Sequence, residues 1–438
     1  SCNSARLASE PASHSEKKMR LTLASSLLVS LLVPAVAFAA PPGMVTNGNN
    51  DGAGSLRAAL ASGATKIIIK PSIATIVVTE TLEYTGTMPL SINGTGQTID
   101  GSGLTDNSAP IFAVTDGADL SIRNLTFDAG GGNANGPYNR ENQGGGKGIF
   151  VDVPFERTGV VSLELTNVTV TGTGNHGVHV SDCTLGDDCG GGSGGGGNGS
   201  TASIDVRLVD VVIIDNGNGK QDADGFRVDD RGDGSITFFA TNSAFIDNGA
   251  DGIELDEGNN GDVIINVSNS VFDFNGEYCL IGDFVPGDDC DDDGEADVDD
   301  AFDVDEAGDG SVVGRVVGLT VVNNIDEGLD FDEEGTGGFD IHVVNLYAEN
   351  NADVSVTFSE EDDGNTVARL RSVTTDGVLE FEEEGVGIVD VAINGSYVGD
   401  DMKLAAENVG PDTTGGFYKA RGTTVVDELD IEGDIEVL

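Results

Sequence analysis

Pairs of apolar residues, each pair enclosing one outward-facing residue, return along this chain at a nearly fixed interval. They are Phe226/Val228, Ile253/Leu255, Phe302/Val304, Leu329/Phe331, Val356/Phe358, Leu379/Phe381, Met402/Leu404 and Leu429/Ile431, with Val178/Val180 upstream. Successive pairs from Phe226 onward lie 27, 49, 27, 27, 23, 23 and 27 residues apart, the 49-residue step being a 27-residue unit that carries an inserted loop. A unit of this length, made of short period-two strands and tight turns, cannot close a core of its own. It buries its apolar face only by stacking on the next unit. The bends read as Asp247-Asn-Gly249, Phe274-Asn-Gly276, Asn323-Asn324, Asn350-Asn351 and Asp400-Asp401, where Asn and Gly accept a left-handed backbone. A leucine-rich solenoid does not fit, because the units are rich in Val, Ile and Phe and lack a helical segment.

On these rungs the chain, over roughly residues 65–438, resembles the right-handed parallel β-helix proteins of the pectate-lyase-like family. The resemblance implies an all-β solenoid and fixes fold far better than activity. Near its start, Ser55-Leu-Arg-Ala-Ala-Leu-Ala-Ser62 reads as a short helix with Ser55 at the N-cap and Gly63 ending it. An amphipathic helix there would plug the open end of the solenoid, and the stretch Gly-Ser-Leu-Arg-Ala-Ala-Leu at 54–60 resembles one at the beginning of many large bacterial surface β-helix proteins.

The domain plan is a leader over 1–40 and one β-helix domain over 41–438. Lys17, Lys18 and Arg20, the apolar run Leu21–Val36 and Ala37-Phe-Ala39 form a secretory signal over 19–39, which implies export to the cell exterior or surface. Loops are inserted at about 130–147, 183–200 and 277–299. The last two carry Cys183/Cys189 and Cys279/Cys290, and in an exported chain these most simply pair within each loop. A net charge of −55 repels phosphate backbones and anionic membranes, so neither nucleic acid nor a membrane is an expected partner. An acid-rich surface suits either a high-salt environment or cation binding. The interiors of the rungs are expected to be aliphatic.

Two acidic patterns carry cation chemistry. In the loop Asp289-Cys-Asp-Asp-Asp-Gly-Glu-Ala-Asp-Val-Asp-Asp300, acids stand at positions 1, 3, 5, 9 and 12 with Gly294 at position 6. Alternate oxygens from Asp289, Asp291, Asp293, Asp297 and Asp300, with the carbonyl of Glu295, can converge on calcium. The loop resembles those of EF-hand and dockerin proteins, departing from them in having Asp300 for the usual Glu and no flanking helices. The second pattern is a ladder of acids directly after the apolar pairs. Asp229, Asp256, Asp305, Asp332 and Glu382 recur there, and each is followed by a second acid. At the roughly 4.8 Å spacing of stacked strands, unit charges repel by about 1 kcal/mol in water and 3 to 4 kcal/mol at a surface dielectric near 20. Salt, raised carboxyl pKa values or bound calcium must offset that.

A catalytic site is less clearly written. The stretch Lys220-Gln-Asp222-Ala-Asp224-Gly-Phe-Arg227-Val-Asp229-Asp230-Arg231 holds a candidate base, Lys220 or Arg227, beside acids. That combination is what a β-helix polysaccharide lyase needs. His176 and His179 occupy the turn and outward positions of an earlier rung. The sequence leads to a calcium-binding, non-catalytic protein of adhesion or glycan contact, with a calcium-dependent polysaccharide lyase as the alternative.

Overall fold

Each apolar pair stacks directly on its counterpart in the next rung. The computed structural model describes residues 43–104, 109–131, 146–182, 199–217, 223–276, 300–352, 354–406 and 415–438. Among them, Val178 pairs with Phe226, Phe226 with Ile253, Ile253 with Phe302, Phe302 with Leu329, Phe331 with Phe358, Val356 with Leu379, Leu379 with Met402 and Met402 with Leu429. Every one of these pairings is parallel. Ile149, Phe112 and Leu82 extend the column toward the N-terminus. The result is a parallel β-helix with one sheet of twelve described strands, from Leu82–Tyr84 to Leu429–Glu432. The other two strands of each rung form a larger, 23-stranded sheet. There Ile236–Thr241, Val263–Ser268, Val312–Val317 and Phe339–Val344 stack in register, as do Ala244–Ile246, Val271–Asp273 and Thr320–Val322.

Asparagines shape the bends. Asn242, Asn269 and Asn345 take left-handed φ values between 51° and 56° at one corner, and Asp247, Phe274, Asn323 and Asn350 take 57° to 61° at the next. Beside that second corner a file of buried amides hydrogen-bonds along the solenoid. Asn216 Nδ2 donates to Asn248 Oδ1 at 3.1 Å, Asn248 to Asn275 at 2.8 Å, Asn275 to Asn324 at 2.9 Å and Asn324 to Asn351 at 2.8 Å. An amide both donates and accepts, so identical side chains satisfy one another when stacked.

The interior is more aromatic than expected. Phe302, Phe331, Phe358 and Phe381 run along the core with ring centroids 5.1 to 5.6 Å apart, and Phe245 and Phe272 stack at 5.0 Å. The few aromatic residues are concentrated inside, where each buries the most apolar area. The helix spans Leu56–Ala61. Ser55 Oγ accepts from the Ala58 backbone N–H, Gly63 follows with φ 73°, and Leu56, Ala59 and Leu60 join the core. Close stacking also demands glycine at certain turns. A Cβ on Gly261, Gly310 or Gly337 would lie 1.3 to 1.6 Å from the carbonyl oxygen of the glycine one rung before it.

The leader, the four loop cysteines, Lys220 and the calcium loop up to Asp299 fall outside the described residues. No helix among the described residues is long and apolar enough to cross a membrane.

Replacing Asn275 with Ala would leave the buried Asn248 donor and Asn324 acceptor without their partner. We expect a loss of about 2 to 4 kcal/mol in denaturant unfolding. A surface amide such as Asn260 should cost far less under the same change.

Candidate functional site

The outward residue enclosed by each apolar pair forms a column along the twelve-strand sheet: Phe150, His179, Arg227, Glu254, Asp303, Asp330. Two residues before each pair runs a turn column: Lys147, His176, Asp224, Asp251, Asp300, Glu327. Over these six rungs both columns run from basic or aromatic residues to acids. The change of character falls at the rungs of His179 and Arg227, and there the side chains converge.

Lys147 Nζ meets His179 Nδ1 and lies 4.7 Å from the centroid of Phe150. His179 Nε2 is 2.5 Å from Asp229 Oδ2. An ammonium only donates and a carboxylate only accepts, so Nδ1 carries the lone pair and Nε2 the proton. Burial, with Lys147 next in weight, drives the His179 pKa down to about 3, which keeps the ring neutral. Asp229 stays ionised. Burial pushes its carboxyl up, but Arg227, His179 and Arg231 together hold it well below the usual range. His176 packs against His179 with centroids 4.8 Å apart, and its Nδ1 accepts from the Asp224 backbone N–H at 3.0 Å.

Arg227 links this line to the acids beyond. Its Nε donates to Asp229 at 2.8 Å and its Nη2 to Asp256 at 2.7 Å, while Nη1 bonds Glu254 and lies 3.5 Å from Asp224. Arg231 also bonds Asp256. All four carboxylates and both guanidinium groups are largely buried, where removing one partner is far more costly than the net worth of the pair. The expected candidate Arg227 therefore sits at the site but is bound to four acids, and Asp229 and Asp256 are its counter-ions.

Clusters able to hold a cation lie on the acidic side. Oxygens of Glu254, Asp256 and Asp305 come within 4.8 Å of one another, as do those of Asp224, Asp251 and Glu254. Asp300 is a buried member of the turn column: its carboxylate accepts from Glu327 N at 2.8 Å, and it clusters with Asp303 and Asp330. Burial and then Asp330 push its carboxyl well above the ordinary value. Asp332 stands half-buried further along the ladder. Glu382 lines a cleft of about 310 Å³ with Glu380, Lys403 and Asp430, and burial together with Glu380 raises its pKa to about 7.

The paired acids do not share one face. Asp229, Asp256, Asp305 and Asp332 face outward in a file of their own, two residues beyond the outward column, but the second acid of each pair, from Asp230 to Glu383, is turned inward and fully buried. Sequence reasoning also passed over Lys147. Its signal was Lys147-Gly-Ile-Phe-Val151, which repeats His176-Gly-Val-His-Val180 one rung upstream.

No protein-family model matches the chain, and no curated protein matches it. Solved structures similar to it include the enzymatically active domain of tailspike protein 2 from bacteriophage CBA120, at 13% identity and TM-score 0.48, covering 77% of this chain and 44% of that one. The chain thus spans less than half of that tailspike domain. The A-module of mannuronan C-5 epimerase AlgE4 from Azotobacter vinelandii is similar at 12% identity and TM-score 0.44, covering 90% and 94% of the two chains. Pectate lyase Pel9A is similar at 15% identity and TM-score 0.35, covering 91% and 79%.

Two outcomes test the electrostatics. Replacing Arg227 with Met leaves buried carboxylates uncompensated and should cost about 3 to 5 kcal/mol in denaturant unfolding. Because folded His179 resists protonation down to about pH 3 while the unfolded ring titrates near 6.5, it lowers stability as pH falls below 6.5. His179→Gln should flatten that part of the stability profile.

Proposed function

We propose that the outward face of the twelve-strand sheet contacts an acidic, uronate-containing glycan outside the cell and acts on it by proton transfer, with calcium as cofactor. The observation that carries this reading is the line Lys147–His179–Asp229, set beside Arg227 and the cation-ready carboxylates. A purely solvated acidic face has no use for two histidines, a lysine and two arginines gathered within three successive rungs.

Asp305 with Glu254 and Asp256 offers oxygen ligands at a separation one ion can bridge, and calcium there would share Glu254 and Asp256 with Arg227 and Arg231. Calcium, when bound, would draw a uronate carboxylate onto a face that otherwise repels it and would acidify the adjacent C–H. The chain's own groups do the rest. Asp229 holds the neutral imidazole in one tautomer, the imidazole positions Lys147, and Arg227 keeps Asp229 ionised. Lys147 in its neutral amine form would take the proton beside the carboxylate through Nζ, and the ammonium so formed, held by His179 Nδ1, can return a proton to the departing glycosidic oxygen. Removal of the proton beside the carboxylate, with loss of the glycosidic oxygen, is the chemistry of a polysaccharide lyase. The leader at 19–39 supports an extracellular or cell-surface setting, and the charge of −55 speaks against nucleic acid.

One observation favours a second reading, a non-catalytic adhesion protein that grips glycan through calcium. Arg227 is occupied by four carboxylates, so its role is structural.

Assays on pectate, alginate and glycosaminoglycans with calcium should show the ultraviolet absorbance of an unsaturated product, and Lys147→Met or His179→Gln should lower kcat by about 10²- to 10⁴-fold. Silence on all three, with calcium-dependent binding retained, selects adhesion. Calorimetry at low and molar NaCl should detect saturable calcium that raises Tm. Asp256→Asn with Asp305→Asn tests the sheet site, and Asp291→Ala with Asp293→Ala tests the loop. If NaCl alone stabilises the protein, both readings fail.

A further inference from the structure

The larger sheet shows solvent a different set of residues. Eight of its strands, from Thr201–Val209 to Gly416–Arg421, stack in one register, and one outward position on each forms a file that holds Arg207, Arg315, His342, Arg369 and Lys419. Phe239, Asn266 and Ala392 fill its other places. The outward position two residues further along each strand forms a second file, which ends in Arg371, Asn394 and Arg421. Neither file contains an acid, although the chain has 76 Asp and Glu against 21 Lys and Arg. A basic strip runs against that composition, so the placement is local and specific.

These cations differ from those of the candidate site. Arg227 and Arg231 are buried among carboxylates. Arg207, Arg315, Arg371, Lys419 and Arg421 are exposed, and among the described residues none of the five forms an ion pair. Arg207 lies over the ring of Phe239, 4.1 Å from its centroid, and Arg369 bonds Asp390 at 2.6 Å. The strip is narrow. Its files stand two residues apart on each strand, roughly 7 Å. Acids border it, with Asp205, Asp340 and Asp390 on one side and Asp273 and Glu349 across the corner on the other. Seven steps of about 4.8 Å between rungs make it roughly 34 Å long.

That shape selects the occupant. A nucleic-acid duplex or the face of a second copy is broad enough to meet the bordering acids, whereas a single extended chain stays between them. At physiological salt, exposed charges are screened beyond about 8 Å, so a chain lying in the strip responds to these cations more than to the acids of other faces. We propose that the strip binds one extended anionic polysaccharide, carboxylated or sulfated, along the solenoid axis and without calcium. Its anionic groups meet the cations of both files, while the amides of Asn266 and Asn394 and the hydroxyls of Thr241 and Ser268 offer hydrogen bonds to its sugar hydroxyls. The site is independent of the calcium-held glycan on the twelve-strand sheet. The two faces belong to different sheets, and the ligand is held by side-chain cations on one and by a bridging metal on the other.

The test uses the full chain in EDTA at low salt, titrated in a calorimeter with pectate as the carboxylated probe and heparin as the sulfated one. One or both should bind, and which one does identifies the anionic group that the strip reads. Binding should be lost in molar NaCl and unchanged in Asp256→Asn with Asp305→Asn. It should weaken roughly tenfold in Arg315→Gln with Arg371→Gln and Arg421→Gln, the sum of three exposed charge contacts. Thermal melts check that this triple variant folds. If it does not, Lys419→Gln with Arg421→Gln carries the comparison. Failure of both polymers to bind in EDTA overturns the proposal, and binding that returns on adding calcium then leaves the calcium-dependent reading standing. Binding that the variants leave unchanged overturns it as well, because the glycan then sits elsewhere. Equally tight binding of duplex DNA overturns the assignment to glycan. Self-association in place of glycan binding, abolished in the triple variant, makes a second copy the occupant and also overturns it.

Discussion

Parallel stacking in register puts every residue of a rung over its own counterpart in the next, about 4.8 Å away. Hydrogen bonds between rungs enforce this regardless of what the side chains are. Whatever occupies a position must therefore tolerate a near copy of itself as its nearest neighbour. Phenylalanine does, through ring contacts at 5.1 to 5.6 Å, and asparagine does, because an amide has a donor for every acceptor. Carboxylates do not. The chain nevertheless places them over one another in three files, so each file needs something beyond the side chains themselves.

The candidate site is where two files stop repeating. In the turn column, Lys147 and His176 give way to Asp224 and Asp251, and in the outward column Phe150 and His179 give way to Arg227 and then Glu254. At that break unlike groups become nearest neighbours, and a line of hydrogen bonds from ammonium to imidazole to carboxylate to guanidinium can form. A uniform ladder cannot build one, since it offers each group only its own kind. Chemistry in this fold concentrates where the repeat changes letter.

Much of this was legible in the sequence, and the parts that were not have identifiable causes. The spacing of apolar pairs gave the register of nine rungs without error, because one face is buried and a slip by one residue would invert it. The inward acids sit where two rules conflict. Strict alternation from Phe226 and Val228 points Asp230 inward, whereas the preference of charge for water points it out, and alternation won. Lys147 lies one rung ahead of Val178/Val180, where the repeat is interrupted by the residues at about 130–147 and its pattern is hard to read. The bonds of His179 to Lys147 and Asp229 join residues on three different rungs, which no local pattern reports.

The glycines four residues after the buried acids have a bearing on the ancestry of the chain. Each occupies space bounded by the backbone of a neighbouring unit, so a side chain at any one of them disturbs two units at once. A change at one of them alone therefore meets a neighbour that has not changed. Such a body lengthens or shortens most readily by copying or deleting whole units, acid and glycine together. The recurrence of 27 residues between so many pairs is the trace that duplication of this kind would leave.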